Sequence, residues 1–158
     1  LEKIPSFTIN HLILKPGIYL SRTDKVGGRQ LHTYDLRFTA PNAEPVMNTA
    51  EIHTIEHLAA TYLRNHDKYK DEVIYFGPMG CRTGFYLILT DALKGQEVLN
   101  LIKETFQFTA EYEGEIPGAT PRDCGNYLDQ NLPMAKYQAK KYVKSLAQVT
   151  DLTFIYPE

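Results

Sequence analysis

Between positions 31 and 39 the chain alternates without interruption. His32, Tyr34, Leu36 and Phe38 fall on one face of an extended segment, and Thr33, Asp35, Arg37 and Thr39 fall on the other. A strand divided in this way has one face to bury and one to leave polar, so it calls for a sheet with an apolar layer on a single side. A shorter strand is expected at 18–22, after the turn signal Pro16-Gly17, with Lys25-Val26-Gly27-Gly28 as the hairpin connection between the two. Two more strands are expected at 73–76 and 85–90, on either side of the turn-rich run from Gly77 to Gly84.

Helical periodicity supplies the covering layer. A helix is expected from a cap at Asn48 or Thr49 to about Asn65, burying Ile52, Ile55, Leu58, Ala59, Tyr62 and Leu63. A second covers 96–112 with Val98, Leu99, Ile102 and Phe106 inward, and a third starts near Pro133, a residue suited to a first helical turn. Residues 152–156 are expected to add a short strand. Hairpin-linked strands with long helices between them give an α+β fold, an antiparallel β-sheet packed against α-helices as a two-layer sandwich. No repeat or low-complexity linker divides the 158 residues, so one domain over 1–158 is expected.

Composition excludes several function classes. A net charge of -2 gives no basic field for nucleic acid. Lys136, Lys140, Lys141 and Lys144 recur at helical spacing and read as a solvated helix face. No apolar run approaches the roughly 18 residues of a membrane span, and no leader pattern is visible, so the cytoplasm is the expected compartment. Only two cysteines are present, Cys81 and Cys124, which in a reducing compartment suits metal binding or catalysis better than a disulfide.

The chemistry concentrates in His53-Thr54-Ile55-Glu56-His57. Two imidazoles four residues apart on a helix share one face, so a single ion can take both. Glu56 lies on the same arc, placed to move protons for whatever that ion polarises. Two imidazoles leave a divalent ion short of ligands, and Cys124 and Cys81 are both candidates. If both bind, the shell is closed and structural; if one binds, a position stays open and the site is catalytic. Cys81 follows a strand in a glycine-rich turn, where backbone amides and Arg82 suit a thiolate. His11, His32 and His66 read individually as surface or satisfied histidines, and Asp35 with Arg37 as an exposed ion pair on the polar strand face.

Taken in order, these pieces resemble one family. Ser6-Phe7 with His11, Asp35-Leu36-Arg37-Phe38 with Pro41-Asn42, the histidine pentad, the block from Gly77 through Gly80-Cys81-Arg82-Thr83-Gly84 to Leu87, Ile116-Pro117, and Cys124-Gly125 resemble the S-ribosylhomocysteine lyase (LuxS) family. The resemblance implies a cytoplasmic bacterial homodimer with active sites at the subunit interface. It implies His53, His57 and Cys124 as metal ligands, with Fe2+ as the working ion and Zn2+ or Co2+ able to replace it. Cys81 and Glu56 match the catalytic pair, and Ser6, His11 and Arg37 match residues lining the substrate pocket, with Asp35 beside them. The implied reaction moves a carbonyl along the ribose of S-ribosylhomocysteine from C1 to C3. Elimination across C4 and C5 then releases homocysteine and 4,5-dihydroxy-2,3-pentanedione, the precursor of autoinducer-2.

Three positions depart from that pattern. Tyr75 stands where an acidic residue is expected, Gly77 where serine is expected, and Arg82 where glutamine is usual. Two other readings share the motif: an inverted-zincin peptidase, which uses an acidic third ligand, and a binding module with structural zinc on His53, His57, Cys81 and Cys124.

Overall fold

The computed structural model describes residues Leu1–Glu158. Four strands, β1 (Gly17–Val26), β2 (Arg29–Arg37), β3 (Val73–Pro78) and β4 (Gly84–Thr90), form one antiparallel sheet in the order β1-β2-β4-β3. Three helices complete the fold: α1 (Thr49–Arg64), α2 (Gln96–Glu111) and α3 (Leu132–Leu146). The α+β architecture expected from the alternating segment is present. The first strand is longer than expected, because the Gly27-Gly28 hairpin lets pairing run out to Val26↔Arg29.

Register explains which side chains face the helices. Ile18 opposes Leu36, which opposes Phe85 on the other side, and Tyr34 lies between Leu20 and Leu87. These side chains join Ile52, Ile55 and Ala59 of α1, Val98, Ile102 and Phe106 of α2, and Tyr142 and Leu146 of α3 in one core. Phe38, just past β2, stacks on Tyr142 with ring centroids 4.0 Å apart and meets Phe85 and Phe106 edge-on. Aromatic pairs in such geometry add to the apolar area they bury.

The helix starts follow ordinary capping chemistry. Glu51 Oε1 accepts the Asn48 N–H at 2.7 Å, and Asn131 Oδ1 accepts the Met134 N–H at 3.1 Å. Two of the lysines read as a solvated face are paired, Lys136 with Glu113 and Lys141 with Glu44. No helix is long and apolar enough to cross a membrane.

The tail departs from expectation. Residues 152–156 form no strand, although the Phe154 carbonyl accepts the Leu20 N–H at 2.7 Å. A register shift in β1 between Leu20 and Arg22 interrupts its edge there, and Phe154 is held at φ 55°, which turns the tail instead of extending it. Phe154 is nevertheless buried against the edge of Tyr34.

Candidate metal centre

One helical turn separates His53 from His57 on α1, and their Nε2 atoms lie 2.9 Å apart. Cys124 Sγ comes to 3.4 Å from His53 Nε2, delivered by the loop between α2 and α3. These three ligand atoms lie within 4.8 Å of one another.

The opposite ring nitrogens are already committed. His53 Nδ1 sits 2.8 Å from the Asp129 carbonyl, and His57 Nδ1 sits 2.6 Å from the Pro117 carbonyl. A carbonyl only accepts, so each Nδ1 must carry the proton, and each Nε2 is left with its lone pair facing the other ligands. Orientation of a ligating imidazole through its second nitrogen is the usual support of a metal site. A soft thiolate and two imidazoles suit Fe2+, Zn2+ or Co2+ better than Mg2+ or Ca2+. The donor set therefore fits a transition-metal ion.

Cys81 is not in this cluster. Its Sγ lies 3.0 Å from Thr83 Oγ1, so the closed four-ligand shell of a structural zinc module is not formed. The turn that carries it is stitched down by its backbone. Arg82 N–H donates to the Met79 carbonyl, the Arg82 carbonyl accepts from Met47 N–H, and the Thr83 carbonyl accepts from both Phe38 and Thr39. Arg82 adopts φ 60°, an uncommon conformation for any residue other than glycine, and the exposed Cys81 stands beside it in that turn.

Behind Thr83 runs a buried polar chain on the sheet face away from the helices. Arg37 Nη1 donates to Thr83 Oγ1 at 2.7 Å, Arg37 Nη2 pairs with Asp35, and Tyr156 donates its hydroxyl to Asp35 Oδ2 at 2.8 Å. Asp35 and Arg37 are only 0% and 2% exposed, which corrects the expectation of a surface ion pair. The cover comes from parts of the chain distant in sequence: Tyr156 stacks on Tyr19, opposite Asp35 in the register, at 4.9 Å between rings. Burial pushes the Asp35 carboxyl above its ordinary range; Arg37, Tyr156 and the nearby His11 pull it back only in part.

The remaining expected residues are distributed around these two groups. His11 is half-buried, with Nδ1 donating to the Ile9 carbonyl at 2.9 Å. Glu56 is half-buried on α1, between the two histidines. Ser6 lies in a 3-10 turn, Pro5–Phe7, and lines a groove of about 390 Å³ with Thr33, Tyr75 and Tyr86. The sequence reading gave no role to Thr83, Tyr156, Pro117 or Asp129. The last two act through carbonyl oxygens, which leave no side-chain signature.

Two of the departures are physically one. The Tyr75 ring lies across Gly77, where a Cβ would run into its hydroxyl end. Serine at 77 would displace that ring, so Tyr75 in this position and glycine at 77 belong together.

Comparison with known proteins agrees with this geometry. Residues 4–152 match the S-Ribosylhomocysteinase (LuxS) family. An S-ribosylhomocysteine lyase of Finegoldia magna is 60% identical over the full length of both chains. Those of Clostridium beijerinckii and Clostridium acetobutylicum are 59% and 56% identical, covering 99% and 100% of each chain respectively. A thiol beside the two histidines, where an inverted zincin has an acidic residue, points the same way. The chain belongs to the S-ribosylhomocysteinase (LuxS) family.

Proposed function

We propose that this protein is an S-ribosylhomocysteine lyase, a carbon–sulfur lyase that releases homocysteine and 4,5-dihydroxy-2,3-pentanedione. The observation that carries the reading is the convergence of His53, His57 and Cys124 in a chain of this family. The ion they would hold, Fe2+ with Zn2+ or Co2+ as substitutes, supplies Lewis acidity toward the carbonyl and hydroxyl oxygens of the open ribose.

The chain's own groups move the protons. Cys81 Sγ takes the proton from the carbon next to the sugar carbonyl, and Glu56 carries protons to and from the oxygens, so that the carbonyl passes from C1 to C3. Removal of the C4 proton then expels homocysteine sulfur from C5. No atom is added from outside: the two products together have the composition of the substrate. Thr83 accepts from Arg37, so its own hydroxyl proton is free to face Cys81 Sγ, and Arg37 is held for this by Asp35. Ser6 and His11 bind and orient the substrate, whereas Arg37 and Asp35, expected beside them, are closed off from solvent and act on the pocket through Thr83.

The protein works as a homodimer in the bacterial cytoplasm, residues 1–158 forming one catalytic unit per chain with its site at the subunit interface. Phe7 and Leu12, beside Ser6 and His11, are 69% and 84% exposed and give that interface apolar anchors. Sedimentation velocity on the metal-loaded protein is expected to give twice the chain mass; a monomer at micromolar concentration sinks the dimer. The test of function is release of free thiol from S-ribosylhomocysteine by Fe2+- or Co2+-reconstituted protein. No release with either ion overturns the lyase reading.

A further inference from the structure

Thr54 stands inside the histidine pentad and behaves unlike other threonines within the helices of this chain. Thr61, Thr105 and Thr109 each donate to the carbonyl four residues earlier, the ordinary resolution for a hydroxyl on a helix. Thr54 is fully buried and reaches out of α1 instead. Its Oγ1 accepts the Asn131 N–H at 2.9 Å and lies 2.7 Å from Gln130 Oε1.

The roles follow by elimination. A backbone N–H only donates, so the Thr54 hydroxyl accepts there and gives its own proton to Gln130 Oε1. This orients the Gln130 amide, whose Nε2 lies 3.3 Å from His53 Nδ1; both nitrogens carry protons, so the amide packs against the imidazole without a hydrogen bond to it. The preceding residue, Asp129, offers the carbonyl that takes the Nδ1 proton. Three consecutive residues therefore engage α1: the Thr54 hydroxyl holds Gln130 and Asn131, and Asp129, next to them in the chain, meets His53. The same segment starts α3, since Asn131 also caps that helix. His57 has no such clasp; its support is the Pro117 carbonyl alone.

We propose that Thr54 and Gln130 are positioning residues of the metal centre, clasping the 129–131 segment to α1 and so aiming His53 Nε2 at the ion. The inference rests on the reading of His53, His57 and Cys124 as ligands. It assigns the central threonine of the pentad a part in metal affinity, not merely in helix packing.

The test uses Co2+ as both ligand and probe. Affinity is measured by chelator competition, following the visible absorption of the bound ion, and melting is measured with and without Co2+. Thr54→Val keeps the shape and removes both hydrogen bonds, and is expected to weaken Co2+ binding about 10–100-fold. The melting-temperature gain on Co2+ loading should narrow accordingly, since stabilisation by a ligand follows its affinity. Thr54→Ser should restore both. Gln130→Ala, which leaves the Asn131 contact in place, should weaken binding several-fold and serves if Thr54→Val does not fold. Wild-type affinity in the folded variants, with melting lowered equally in loaded and metal-free protein, overturns the proposal and leaves Thr54 a packing residue. Failure of the wild-type protein to take up Co2+ overturns the metal centre itself, and this inference with it.

Discussion

The two faces of the central sheet bury side chains almost equally well and do so by opposite chemistry. On the helix-covered face, Leu36, Phe85 and Leu87 are closed off by apolar neighbours and need no orientation beyond fit. On the other face, Asp35 and Arg37 are just as buried, and each polar atom must find a partner or carry the cost. Asp35 Oδ1 and Arg37 Nε have none within the chain. A buried ion pair is a poor source of stability against an apolar replacement, so its place here is better explained by what it holds. That is Thr83, and through it Cys81. One face of the sheet keeps the fold together, while the other braces the turn that carries Cys81.

Substitutions separate the two faces, and the largest effect should come from the polar one. Cys81→Ala is expected to cut turnover by about 10²–10⁴-fold, the range ascribed to a positioned proton carrier. Metal content and melting temperature should stay at the parent values. Loss of the metal along with the thiol would place Cys81 in the ligand shell and erase the distinction drawn here.

Phe106→Ala should reverse the pattern. Phe106 is fully buried among Phe38, Phe76 and Tyr142, and its truncation should cost about 3–5 kcal/mol of stability in chemical denaturation. Turnover per folded molecule should remain near the parent value. A specific loss of turnover in fully folded protein would show that the faces are not separable.

Tyr156→Phe is the smallest and most discriminating change. It keeps the stack on Tyr19 and removes one donor to a buried carboxylate, which should cost about 1.5–3 kcal/mol near neutral pH. Tyr156 holds the Asp35 carboxyl lower than burial alone would, so its contribution is present above the folded-state value of Asp35. It is lost as the pH falls through that value, which lies above 3.8. A cost that is the same at pH 7 and at pH 3 would argue that Tyr156 acts only by packing.

Much of the architecture was legible from local pattern. Alternation at 31–39 predicted both the strand and the face that meets the helices, and Ile52, Ile55, Ala59, Val98, Ile102 and Phe106 are in the core as periodicity required. Failures occur where a local rule met a distant segment. Asp35 and Arg37 read as exposed because neighbours on a strand say nothing of a tail that returns from position 156. The tail itself read as a strand, since five residues of suitable composition do not reveal an interrupted partner edge.

The metal centre divides in the same way. Spacing alone put His53 and His57 on one helical face, because 3.6 residues per turn is a property of the backbone and needs no tertiary context. By residue type alone Cys124 was one of two candidate thiols; the family resemblance singled it out, and the fold brings it to the histidines while Cys81 lies against Thr83. The orientation of each imidazole is written nowhere in the side-chain code, for it depends on the carbonyls of Asp129 and Pro117, and every residue carries a carbonyl. The sequence by itself thus determined which atoms can bind an ion and on which elements they stand. Only the tertiary structure decided which of them converge and which nitrogen carries the proton, because those depend on contacts between segments more than 50 residues apart.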